Sequence, residues 1–344
     1  MEEKKVKKKG SWKRPILIVI CILLVLVLVA AIAFAIFVAP LLKRINRTEN
    51  VTQQTLSSDQ IASYVEDPTD TVPVQQQAAT ILTEGVINVL LVGQDRREGE
   101  ARMHSDAMIL CTINTNTKTL TMTSFMRDMW VYIPDHYNER INVPYMVGGF
   151  DLLNQTLEYN FGVSGDYNVE IDFAGFMKAV DMMGGLDIEL TAREARYLNQ
   201  RGNWDVEANQ GWQLKEGVNR MTGSQALAYS RIREIGDDFE RTNRQRIVLS
   251  VMLEKAKTLK PAELYDLLYS VMPMLTTDMT NTEILNLAAT MIPMLSDLKV
   301  VSQRIPMDGE FYFANKGGAS VIALSESNMK ANLELLVEAM KEDN

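Results

Sequence analysis

Between Arg231 and Arg246 the chain carries Arg231, Arg233, Arg241, Arg244 and Arg246, and no Lys. A guanidinium is planar, stays charged when partly buried and grips phosphate or carboxylate oxygens in pairs, whereas an ammonium is a hydrated point charge. The segment therefore points to oxyanion binding. On a helix, Arg241, Arg244 and Gln245 stand at i, i+3 and i+4 and share a face, while Phe239 and the Ile247, Val248, Leu249 run can pack on the other side. The same spacing also admits a solvated surface on which Glu234, Asp237, Asp238 and Glu240 pair with these Arg side chains. Earlier in the chain, Gly93-Gln94-Asp95 follows an apolar run and Ser105-Asp106 precedes the next one. Two carboxylates at neighbouring strand ends can converge on one Mg²⁺, which favours a few carboxylates plus substrate phosphate oxygens. Asp at strand ends also serves in ordinary turns. Arg127-Asp128, in Ser124-Phe125-Met126-Arg127-Asp128, adds another guanidinium and carboxylate behind a third apolar run.

Composition narrows the chemistry. Two His and two Cys in 344 residues exclude a multi-Cys zinc site, a disulfide framework and a His-rich metal centre. The formal net charge is −9, but the first 14 residues hold seven Lys or Arg against two Glu, so the rest of the chain stands at −14. An acidic body of that kind is a poor match for nucleic acid, whose non-specific binding relies on basic side chains neutralising phosphates. A single long apolar run excludes a polytopic membrane protein.

The elements that must position these groups are read from apolar periodicity. Ile16 to Val38 is 23 residues without a charge. At about 1.5 Å per residue that spans roughly 35 Å, enough to cross a bilayer core. Ala33 and Ala35 leave a cleaved signal peptide as the rival reading, although signal h-regions run only about 7 to 15 residues. The basic tail outweighs Lys43, Arg44 and Arg47, which places the N-terminus in the cytoplasm and the rest of the chain outside. The expected organisation is a basic cytoplasmic tail over 1–14, a transmembrane helix over 15–42, an extracytoplasmic linker over 43–84 and one exported domain over 85–344. Strands are expected at Ile87–Val92, Met108–Ile113, Leu120–Phe125, Leu186–Leu190 and Val300–Ile305, with a turn over Asn114–Lys118. Helices are expected at Phe150–Phe161, at Phe173–Met183 ending on Gly184 and Gly185, from an Asp237/Glu240 capping box through Leu253, from Pro261, and from a cap at Asn281. The fold class is mixed α/β, an α-β-α domain on a central mixed sheet, with a motif core over 88–249 and a mostly helical part over 250–344.

Taken together, NVLLVGQD, SDAM, SFMRD, RINVPY with GGF, VDMMGGLD, and above all ALAYSRIR followed by DDFERTNRQR resemble the LytR-CpsA-Psr family. The resemblance covers about 160 residues in the expected order, and an Arg pair followed by D-F-x-R-x-x-R-Q is its most specific part. It implies an enzyme that moves an anionic glycopolymer, teichoic acid or capsule, from undecaprenyl pyrophosphate to the C6 hydroxyl of N-acetylmuramic acid in peptidoglycan. A pyrophosphatase side activity, a wall-binding protein without turnover and a transcriptional regulator are the other readings it brings.

Carried onto this sequence, the resemblance implies that Asp95 and Asp106 bind Mg²⁺ and that Arg127, Arg231, Arg241, Arg244 and Gln245 hold the pyrophosphate. Asp95, Asp106, Arg127 and Arg241 would carry catalysis, Asp128 and Asp238 would orient the Arg side chains, and Arg96 or Arg97 would add a phosphate contact. Three positions depart from the family pattern: His104 stands where Arg is usual before Ser-Asp, Met126 replaces Pro before Arg-Asp, and Ala107 replaces Thr after Ser-Asp. A charge-neutralising site of this type needs no Ser-His-Asp triad, in keeping with two His. Phe173, Phe176, Met177, Val180, Met182 and Met183 are candidates for the wall of a lipid channel, or an ordinary packed helix face.

Overall fold

Valine-, isoleucine- and leucine-rich runs with few charges fold as strands buried on both faces. In a computed structural model of the chain they become β2 (Val86–Gln94), β3 (Ala107–Asn114) and β4 (Thr119–Phe125), joined antiparallel in that order. The structure describes residues 34–48, 83–94, 103–200, 211–236, 238–316 and 318–341. The chain divides into a unit over 1–44 and a unit over 45–344. Of the first, the described part is a π-helical turn at Phe34–Val38 and a short helix α1 (Ala39–Leu42). The remainder of the expected membrane helix lies outside the described residues, and among those described no helix is long and apolar enough to cross a membrane.

The second unit is built on a seven-stranded mixed sheet. β7 (Tyr167–Asp172) lies parallel to β2, and β11 (Lys299–Ile305) lies parallel to β4. β10 (Leu275–Thr277) adds antiparallel to β7, and β1 (Asn46–Arg47) closes that edge parallel to β10. The start of the expected linker is thus part of the sheet, while 49–82 lie outside the described residues. Four strands, β2, β4, β7 and β11, run the same way and end on one side of the sheet.

Alternate residues of the strands face two cores. Leu90, Val92, Met108, Leu110 and Phe125 meet Leu153, Leu157 and Phe161 of α2 (Val143–Phe161). Val89, Ile109, Cys111, Leu120 and Met122 pack on the other face, with Leu249 and Leu253 of α6 (Asp238–Lys257) against them. α2 begins two turns before the expected Phe150: Pro144 fits the first turn, where its missing N–H costs nothing, and Gly149 at φ +66 and ψ −149 kinks the helix there. A third core gathers α3 (Phe173–Met182), the hairpin of β8 (Leu186–Leu190) and β9 (Gly217–Met221), α4 (Ala192–Leu198) and α5 (Gly223–Ser230). Gly184 and Gly185, at φ +76 and +85, end α3 as expected.

The Asp237 half of the expected Asp237/Glu240 box lies outside the described residues; Glu240 pairs with Arg244 at 3.0 Å and α6 runs to Lys257. Two expectations change. Thr280, not Asn281, caps α8 (Asn281–Met291), in a box with Glu283. Finally, the part beyond 250 is less helical than its composition suggests. Besides α7 (Pro261–Val271), α8 and α9 (Glu326–Met340) it supplies β10, β11 and a hairpin of β12 (Tyr312–Lys316) with β13 (Ala319–Ala323). A further short hairpin pairs β5 (Trp130–Tyr132) with β6 (Asn138–Arg140).

Candidate functional site

Strand register brings the first two groups together. β3 and β4 pair Ile109 with Ser124, and continuing that antiparallel count by three residues sets Asp106 opposite Arg127. The backbone holds both ends: Asp106 N donates to Gly93 O at 2.9 Å, Met126 N donates to Ile305 O at 2.9 Å, and Ser105 N donates to Asn142 O at 3.3 Å. The pair therefore sits where β2, β4 and β11 end, the side of an α/β sheet where ligand sites gather. Asp95 follows the last residue of β2 and lies, with Arg96 and Arg97, outside the described residues.

The first turn of α6 and the loop before it complete the cluster. Arg127 Nη1 is 3.3 Å from Asp106 Oδ1, Arg233 Nη2 is 3.5 Å from the same oxygen, and Arg241 Nη1 is 4.0 Å from it. Arg241 Nη2 also donates to the Asp106 carbonyl at 3.4 Å. Three guanidiniums thus converge on one carboxylate oxygen. Asp238 and Asp128 hold Arg241 and Arg127 from behind: Asp238 Oδ1 is 3.0 Å from Arg241 Nε and 3.7 Å from Arg127 Nε, and Asp128 Oδ2 is 3.5 Å from Arg127 Nε. Both acids therefore lie against the Arg side chains.

Burial decides the electrostatics. Arg241 is only 3% exposed, and burial pushes its guanidinium down to about 10, against the pull of Asp238 and with the help of Arg127. It remains a cation at neutral pH. Burial likewise raises Asp238 above the usual carboxylate range, with Arg241 and Arg127 opposing that shift. His104 is half-buried and held below its usual value, first by burial and then by Arg140. Neutral at pH 7, it does not replace the permanent charge of an Arg.

The remaining expected residues take other positions. Arg244, on the same helix face as Arg241, turns to Glu194 Oε1 at 2.7 Å, Glu240 Oε2 at 3.0 Å and the Ile232 carbonyl at 3.2 Å. It braces the loop that carries Arg233. Arg231 lies 4.7 Å over the Phe173 ring, and Gln245 is half-buried one residue after Arg244. Phe176 and Met183 pack on the β8–β9 core around buried Val180, and Met182 packs with Leu267 and Val271. Arg233 is the member that helical spacing missed, because it precedes α6 and reaches the cluster only through the loop. The run of Arg without Lys was the one signal that included it.

The donor chemistry suits a hard cation. Mg²⁺ takes oxygen ligands and is commonly held by one or two carboxylates plus substrate phosphates. Asp106 offers a carboxylate whose Oδ2 makes none of the guanidinium contacts above. Among the described residues no three His, Cys, Asp or Glu side chains group as a complete metal site, so the phosphate oxygens of a ligand and Asp95 would have to finish the shell.

Comparison with known proteins gives a consistent result. The Bacillus subtilis polyisoprenyl-teichoic acid–peptidoglycan teichoic acid transferase TagT is 34% identical over 183 residues, 52% of this chain and 55% of that protein. The Staphylococcus aureus regulatory protein MsrR is 29% identical over 190 residues, 55% of each chain. The matched region thus spans about half the length of these curated relatives. A solved structure described as TagT bound to LIIa-WTA superposes with a TM-score of 0.62 at 25% identity, covering 77% of this chain and 96% of that one. The model of the LytR_cpsA_psr family matches residues 44–337, the strands, the Arg cluster and the C-terminal hairpin included, and the chain belongs to that family.

Proposed function

We propose that this chain is a membrane-anchored transferase that moves an anionic glycopolymer from undecaprenyl pyrophosphate to peptidoglycan. The observation that carries the reading is the convergence of Arg127, Arg233 and Arg241 on Asp106 Oδ1 at the C-terminal edge of the strands. That oxygen stands where a phosphate oxygen would be gripped. The relative named as a teichoic acid transferase supports the same chemistry.

The charge balance of the cluster supports a role for a metal. Three Arg are matched by Asp106, Asp128 and Asp238, so the described cluster is close to neutral before any ligand arrives. A pyrophosphate diester adds negative charge that the guanidiniums alone do not balance. Asp106 and Asp95 would hold Mg²⁺, which supplies charge neutralisation to the phosphoryl oxygens. Arg127, Arg233 and Arg241 bond those oxygens in place of Asp106, and Asp128 and Asp238 hold Arg127 and Arg241 in position. The C6 hydroxyl of N-acetylmuramic acid forms a bond to the phosphorus nearer the glycan and gives its proton to the surrounding water. The bond from that phosphorus to the bridging oxygen breaks, and undecaprenyl phosphate leaves. Catalysis of this kind is positioning plus charge stabilisation. The basic tail lies in the cytoplasm, and the apolar segment over 16–38 keeps the domain at the outer membrane face beside its lipid substrate.

A second reading, binding without turnover, is favoured by His104, which supplies no permanent cation where the family pattern has Arg. One assay separates the two. The full chain in detergent, mixed with a lipid-pyrophosphate glycan, peptidoglycan strands and Mg²⁺, should form a phosphodiester-linked product and release polyprenyl phosphate. Retention of the lipid with no product would establish the binding reading.

A further inference from the structure

Arg246, which the cluster does not use, presents a separate problem of charge. It is 8% exposed, and its Nε and Nη1 meet no hydrogen-bond partner among the described residues; Nη2 donates to Asn243 Oδ1 at 3.2 Å. It lies three residues before Leu249 and seven before Leu253, on the stripe of α6 that packs against Leu120 and Met122 of the sheet. On that same sheet face, one residue pair further along, Ser124 and Arg304 are register partners on the parallel strands β4 and β11. The Ser124 hydroxyl is also buried without a partner among the described residues. Arg304 donates through Nη1 to the Pro306 carbonyl at 2.6 Å, with Met126 Sδ 3.9 Å away, rests 4.2 Å over the Phe239 ring and pairs with Asp308.

Register and helix spacing therefore set two guanidiniums and a hydroxyl on one face of the sheet beside α6. Among the described residues, the acid that faces Arg246 is Asp308, whose side chain is 96% exposed. Burial and the like charge of Arg304 lower Arg246, and Asp308 opposes them weakly enough to leave it at about 10. Buried donors are normally satisfied, and a buried charge without a counter-charge is destabilising. An anion with several acceptor oxygens would satisfy these donors.

We infer that Arg246, Arg304 and Ser124 form a second anion site that takes a tetrahedral phosphate group, entered past Asp308. The inference stands apart from the transfer reaction, since it concerns groups that do not contact Asp106. Either a phosphodiester of a polymer chain or free phosphate carries the required oxygens.

The test uses the full chain in detergent with Arg127→Ala and Arg233→Ala in place, which weakens the first cluster. Calorimetric titration is made with inorganic phosphate and, separately, with dimethyl phosphate. At least one probe should bind, and Arg304→Gln should weaken that binding about tenfold or more, the loss expected for a charged hydrogen-bond partner. Tighter binding of dimethyl phosphate identifies a polymer phosphodiester as the ligand, and tighter binding of inorganic phosphate identifies the free ion. Arg246→Met provides a check that does not depend on affinity. It should melt no lower than its parent without phosphate, because it removes an uncompensated charge, and it should lose the rise in Tm that phosphate gives the parent. No binding of either probe, binding unchanged by Arg304→Gln, or a lower Tm of Arg246→Met without phosphate would each overturn the site.

Discussion

Replacing Asp106 by Asn separates anion binding from metal binding. The Asp106 carboxylate competes with an incoming phosphate for three guanidiniums, at 3.3, 3.5 and 4.0 Å. Removing one charge at about 4 Å is worth about 1 kcal/mol in water and about 4 kcal/mol at an effective dielectric constant of 20. The side chains of Asp106 and Arg127 are 30% and 20% exposed, so solvent screening holds the value towards the lower end. An estimate of about 1 to 2 kcal/mol corresponds to roughly 5- to 30-fold in affinity. Titration of inorganic pyrophosphate in EDTA at fixed ionic strength should show Asp106→Asn binding tighter than wild type by that factor. The same variant should be inactive in Mg²⁺-dependent transfer. Weaker or unchanged pyrophosphate binding in EDTA would refute the reasoning, because Asp106 would then not be holding the anion position.

Arg241→Ala should lower transfer about 10²- to 10³-fold, the range for losing one group aimed at developing charge, with little change in far-UV circular dichroism. Arg244→Ala should act on stability instead. It leaves Glu194, 12% exposed, without its cationic partner, and a loss of about 3 kcal/mol should appear as a Tm several degrees lower in calorimetry. Burial pushes the Cys111 thiol up to about 12, so almost no thiolate exists in the folded state at pH 8. Mass spectrometry should find Cys111 unalkylated by iodoacetamide in the native protein and fully alkylated in guanidinium. Leu153→Ala, in the core between α2 and the sheet, should cost about 2 to 5 kcal/mol by denaturant unfolding without altering the Mg²⁺ dependence of transfer.

The central sheet was legible because β2, β3 and β4 are long apolar runs whose burial on both faces leaves no other arrangement. β6 was not, because Asn138, Glu139 and Arg140 have no strand preference of their own and pair only because β5 lies beside them. The same holds for β9, where Gly217, Asn219 and Arg220 are held extended by β8. At the site, helical spacing found the shared face of Arg241 and Arg244 but not what faces it. Glu194 is 50 residues from Arg244 in sequence and takes that side chain away from Asp106. Arg233 reaches Asp106 through a loop whose path no periodicity encodes. The pairing of Asp106 with Arg127, by contrast, follows from strand ends and turn length, and was implicit in the order of the runs.

The central claim is that Asp106, Arg127, Arg233 and Arg241 receive the pyrophosphate and its metal. A crystal structure of the full chain with a polyprenyl pyrophosphate and Mn²⁺ tests it most directly. The account predicts an anomalous peak within coordination distance of Asp106 and phosphate oxygens hydrogen-bonded to Arg127, Arg233 and Arg241. A head group bound elsewhere, with Asp106 still in contact with all three guanidiniums, would contradict it.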